Sequence, residues 1–113
     1  MPNFSRNEVI LVRYPFTDLS GFKVRPAVVV SAPHSSQDKM IVPLTSQTAG
    51  LQAGEFKLDD WQQAGLNVPT VLKRGVFTVN KSVILKTIGQ LSSRDSEKLN
   101  HSLTAWLGLK TRT

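Results

Sequence analysis

Short runs of aliphatic residues, each closed by turn formers, fill most of the chain and read as strands. Residues 9–12 are apolar up to Pro15, which has no N–H to give a ladder, so that strand stops or reaches a sheet edge there. Residues 24–31 (VRPAVVVS) and 40–44 (MIVPL) are the second and third strands. The polar, turn-rich stretch 32–39 between them permits a compact antiparallel pair. Pro43 implies an edge or a bulge just ahead of Thr45 and Ser46. After a flexible stretch at 50–54 comes a short strand at 55–58. Asp59 or Asp60 is placed to cap a short helix over 61–64 that Gly65 ends. Residues 70–72, 76–79 and 83–88 are extended, with a turn at Asn80 and Lys81. Only near the end does the period change: Leu99, Leu103, Trp106 and Leu107 form one helical stripe, capped by Ser92 or Ser93 and closed by Gly108, with Asp95 and Glu97 in the first turn. The pattern predicts a mainly β, α+β fold: a small, strongly bent barrel with a C-terminal helix packed on the sheet.

At 113 residues, 40% of them hydrophobic, the chain is expected to form one domain over 1–113, and no repeat or linker divides it. It has no cysteine and two histidines, His34 and His101, which argues against a metal centre; the expectation is chemistry without metal or cofactor. No signal-like leader or run approaching ~20 apolar residues is present, so a cytoplasmic protein that does not enter a membrane is expected. Fourteen Lys and Arg against eight Asp and Glu give a charge of +6, suited to a polyanionic partner. Net charge alone decides little, because many small proteins are basic. The placement is more informative: Arg13, Lys23 and Arg25 surround the first hairpin and Lys73 and Arg74 adjoin in the second half, as if lining a groove. Lys57, Lys98, Lys110 and Arg112 read as solvated surface.

The strand ends carry the candidate chemistry. Arg25 stands where one apolar run begins, and Thr45 and Ser46 where the next stops. A guanidinium fork and two hydroxyls brought together by an antiparallel pair are able to grip a phosphate. Read singly, Arg25 is an ordinary surface arginine and Thr45-Ser46 an ordinary turn. His34 has the chemistry of a base near neutrality, but a lone loop histidine is usually only solvated. Asp18 is more often a turn former than a base. Trp61 and Trp106 are able to stack on bases, although core packing is the commoner role.

Taken together, the blocks NEVILVRYPFTDLSG (7–21), KVRPAVVVS (23–31), MIVPLTSQ (40–47), WQQAGLNVPT (61–70) and KTIGQLSSRDSEKLNHSLTAWLGL (86–109) resemble, in that order, the MazF/PemK toxins of type II toxin-antitoxin systems, in their PemK-like branch. The resemblance implies the SH3-like barrel of the MazF/CcdB type and a metal-independent endoribonuclease that cuts single-stranded mRNA by attack of its own 2'-hydroxyl. It further implies a homodimer, a cognate antitoxin with an acidic tail, and contact with DNA only through the toxin-antitoxin complex. In that family the arginine of the RP block and the threonine of the VP-x-T block are catalytic, which assigns those roles to Arg25 and Thr45. Ser46 and Gln47 then hold phosphate, sugar or base, and Lys23, Asp18, Lys73 and Arg74 surround the substrate. Many relatives carry an acid in the strand matching 72–78, where this chain reads LKRGVFT, so the proton acceptor is left to water, Asp18 or another neighbour. Two other readings share the barrel: a CcdB-like gyrase poison, which relies on apolar residues at the extreme C-terminus, and a nucleic-acid-binding barrel without catalysis.

Overall fold

A computed structural model describes residues 4–15, 22–32 and 35–109. Asp18 and His34 lie outside these residues. The order of elements is β1 (Glu8–Pro15), β2 (Phe22–Val29), β3 (Asp38–Thr45), β4 (Phe56–Lys57), β5 (Val71–Leu72), β6 (Phe77–Asn80), a 3-10 turn (Lys81–Val83), β7 (Ile84–Gln90) and α1 (Ser93–Leu107). All pairings among these strands are antiparallel. The path runs β4-β5-β3-β2-β1-β7, with β6 pairing β3 beside it. An antiparallel sheet with one C-terminal helix is the expected class. Among the described residues, however, the ladder is an open path and not a closed ring.

The central strands are apolar in continuous runs because both of their faces are covered. Neighbours along a strand point to opposite faces, yet Ala27, Val28 and Val29 are all buried. On one face Val28, Val42, Leu44 and Leu72 join Leu58 and the helix residues Leu99 and Leu103. On the other Ala27, Val29 and Ile41 join Ile10, Val12, Ile84 and Phe4. Fully burying a valine or isoleucine is worth roughly 1.5–3 kcal/mol, so this strand pair is anchored on both sides before it reaches its polar end.

Pro43 sits inside the sheet, not at its edge. It pairs with Ala27 on β2, and its carbonyl accepts the Lys73 N–H at 2.9 Å. The bulge expected there lies in the opposing chain: β3 pairs Ile41 with Phe77 of β6, then Leu44 with Leu72 of β5, and residues 73–76 loop out between. Proline's missing N–H falls at this changeover, where a regular ladder bond is not required.

The segment expected to form a short helix at 61–64 is a turn. Its first two N–H groups, of Asp59 and Asp60, both donate at 2.9 Å to the carboxylate of Asp95, which is 0% exposed. The aspartates expected to cap are themselves capped from α1. Gly65, with φ +86, ends the turn against the Ile88 carbonyl, where a Cβ has no room. Helix α1 follows its local signals: Ser92 Oγ accepts the Asp95 N–H at 3.2 Å and Gly108 closes the helix in the left-handed region. Its stripe is shorter than the periodicity implies. Leu99 and Leu103 are buried and Trp106 is half-buried, its indole N–H donating to the Ala53 carbonyl at 2.9 Å, but Leu107 is 56% exposed. The loop around residues 53–54 takes the tryptophan and leaves Leu107 to solvent.

Candidate functional site

The face of β2 and β3 that buries Ala27, Val29 and Ile41 becomes polar at one end. The β2–β3 ladder pairs Val29 with Ile41, Val28 with Val42 and Ala27 with Pro43. Carried two residues further, that register sets Arg25 across from Thr45, with both side chains on the same face. There the sheet opens into a cavity of about 590 Å³. Arg25 forms one wall, Pro43 to Gln47 the floor, Lys73 one rim, and Phe77, Thr78 and Val79 of β6 the far wall.

Arg25 is exposed, and among the described residues no hydrogen bond or ion pair holds it. Its guanidinium is therefore open to an anion in the cavity. Thr45 is half-buried, and its Oγ1 accepts the N–H of Gln47 at 3.2 Å, a local turn that fixes the hydroxyl oxygen and leaves its proton to donate into the cavity. Ser46 and Gln47 follow on the exposed surface of the floor.

Lys73 is held by a residue that no sequence pattern marked. Glu55, its side chain 2% exposed, accepts from Lys73 Nζ at 3.3 Å, from the Arg74 N–H at 2.9 Å and from the Gln52 N–H at 2.8 Å. These donors hold the Glu55 carboxyl below the ordinary glutamate range, the Arg74 N–H contributing most, then the Gln52 N–H, then Lys73. A carboxyl lowered on folding stabilises the fold above its unfolded-state value, and that stability is lost as pH falls through the folded-state value. Glu55→Gln is therefore expected to lower the melting temperature at pH 7. The gap between variant and wild type should narrow as the pH falls from the ordinary glutamate range through the lowered folded-state value of Glu55. Thermal melts at pH 7 and pH 3 measure both, and a gap that stays constant with pH contradicts the clasp.

Of the residues singled out from the sequence, Arg25, Thr45, Ser46, Gln47 and Lys73 meet in this one cavity. Lys23 is exposed two residues beyond Arg25 on the same face of β2. Arg74 turns to an adjoining cavity of about 510 Å³, with Gln52, Gly75, Val76 and Trp106, which shares Lys73 with the first. Arg13, expected beside Arg25, pairs with Val24 and so lies on the opposite face of the strand pair. Phe77 and Thr78 were not singled out; only their pairing with β3 brings them to the site. Trp61 and Trp106, the latter on α1, pack against the core. Among the described residues no cluster of His, Asp or Glu could hold a metal ion, and no helix is long and apolar enough to cross a membrane.

Comparison with known proteins adds a family. Residues 5–107 match the model of the PemK-like, MazF-like toxin of type II toxin-antitoxin systems. No curated protein sequence matches. Among solved structures, a mycobacterial endoribonuclease in complex with its cognate antitoxin superposes with TM-score 0.74 at 20% identity, covering 99% of this chain and 100% of that one. A chain of the MazE-MazF crystal structure (Form-II) from Deinococcus radiodurans gives 0.76 at 17% identity over 94% and 96%. The Mycobacterium tuberculosis toxin MazF-mt6 gives 0.68 at 19% over 90% and 99%. At these identities the likeness is one of fold.

Proposed function

The chain belongs to the PemK-like, MazF-like toxins of type II toxin-antitoxin systems, and from that premise we propose that it is an endoribonuclease acting on single-stranded mRNA in the cytoplasm. The observation that carries this reading is the meeting of Arg25 and Thr45, from two paired strands, in one open cavity with Lys73 on its rim. Relatives of the same fold are described as endoribonucleases, one of them bound to its cognate antitoxin.

RNA carries its own nucleophile. The 2'-oxygen attacks the adjacent phosphorus, the bond from phosphorus to the 5'-oxygen breaks, and the products are a 2',3'-cyclic phosphate and a 5'-hydroxyl. What the protein must supply is orientation and charge. Arg25 gives two N–H bonds to the non-bridging oxygens, strongest when the phosphorane is dianionic. Thr45, fixed by Gln47, donates a third. Lys73, its charge balanced by Glu55, keeps N–H groups to donate to the neighbouring phosphate, and Ser46 and Gln47 steady sugar and base. Among the described residues neither carboxylate nor histidine lines the cavity, so in this reading water takes the 2'-proton and returns one to the leaving oxygen. The same basic rim suits the acidic tail of an antitoxin, which inhibits by occupying the RNA groove of a toxin homodimer; contact with DNA then comes through that complex.

Purified protein is expected to cut single-stranded RNA in EDTA, and replacing the ribose on the 5' side of one cleaved bond by deoxyribose protects that bond alone. Mapping the fragment ends reads this directly. Cleavage at the deoxyribose position would mean that an external water attacks, and dependence on added metal would remove the proposed mechanism.

A further inference from the structure

Phe77 opens β6 opposite Ile41, yet its side chain is 52% exposed. Among the described residues lining the cavity of Arg25 and Thr45 it is the only aromatic. One side of the ring is backed by Gly75. Glycine alone suits φ +140 there, and a Cβ at Gly75 would stand 2.7 Å from the ring edge. The ring is thus seated on backbone and turned to the cavity that Lys73 and Arg25 also line. A flat apolar surface kept in water beside two cations matches a nucleotide, whose base stacks while its phosphates meet the charges. An acidic peptide would satisfy Arg25 and Lys73 but makes no specific use of the ring.

We infer that Phe77 is the stacking platform for one unpaired base next to the scissile phosphate, with Gly75 shaping its seat. The inference rests on the endoribonuclease reading and adds a binding residue to it. Stacking of this kind tolerates any base and strengthens binding without chemical contact to the reacting atoms, so Phe77 acts on affinity more than on turnover.

Wild type, Phe77→Leu and Phe77→Tyr are compared on single-stranded RNA, once with ribose throughout and once made uncleavable by a 2'-O-methyl at the attacking position. Phe77→Leu is expected to weaken binding and raise KM by about tenfold with kcat little changed, while Phe77→Tyr stays within about twofold of wild type. Deleting the one base beside the cleaved bond should cost wild type the same factor and Phe77→Leu nothing more, since the ring and base are lost as a pair. Equal binding by Phe77→Leu, or losses that multiply, overturns the inference, as does a loss that follows from altered self-association or is confined to antitoxin binding. Wild type that cuts RNA with no dependence on Phe77 sinks this inference alone. Wild type that binds RNA through Phe77 without cutting it sinks the enzymatic reading alone, and wild type that binds no RNA sinks both.

Discussion

Arg25→Ala lowers the rate of RNA cleavage by about a hundredfold or more, the cost of removing one preorganised donor to a developing oxyanion, while the protein melts close to the wild-type temperature. Arg25 lies on the wall of the cavity, and the β2–β3 register sets it across from Thr45, so its loss is felt where charge builds on phosphorus. It is also exposed and forms no hydrogen bond or ion pair among the described residues, so the fold loses little. Arg25→Lys should recover only a small part of the rate, because an ammonium keeps the charge without the planar fork that meets two oxygens at once. Single-turnover cleavage with matched thermal melts checks both. Undiminished cleavage by folded Arg25→Ala protein would remove the central assignment.

Asp95→Ala lowers stability by about 3 kcal/mol, with a fall in melting temperature of about 10 °C or more, the largest loss expected from any single polar substitution here. This carboxylate is 0% exposed and accepts the N–H groups of both Asp59 and Asp60, while its own N–H bonds to Ser92 at the start of α1. Alanine leaves two donors of the turn without an acceptor and takes a negative charge from the helix N-terminus. The neighbouring surface pairs, Arg94 with Asp60 and Lys98 with Asp59, are too exposed to compensate. Asp95→Asn keeps an oxygen for one N–H and should recover part of the loss. Cleavage per folded molecule should not change, because α1 packs on the face of the sheet opposite to Arg25 and Thr45. Denaturant unfolding and cleavage below the transition separate the two effects, and an Asp95→Ala protein as stable as wild type contradicts this account of the turn.

Much of the frame was legible along the chain because its causes are local. The runs around Val28 and Val42 are strands buried on both faces, and such strands must be continuously apolar. Where those runs stop, at Arg25 and Thr45, polar side chains necessarily reach the surface. The caps of α1 at Ser92 and Gly108 are likewise properties of adjacent residues. Tertiary structure decided the rest, since alternation gives a strand two faces but only its partner's register says which residues share one. Pairing Ala27 with Pro43 brings Arg25 opposite Thr45, whereas pairing Arg13 with Val24 sends Arg13 to the other side. Phe77 and Thr78 enter the site through the pairing of β6 with β3. Glu55 meets Lys73 across 18 residues and Asp95 meets Asp59 across 36. A carboxylate's partner over such distances is chosen by how the sheet and helix pack, and a hydrogen bond leaves no periodic trace in the chain.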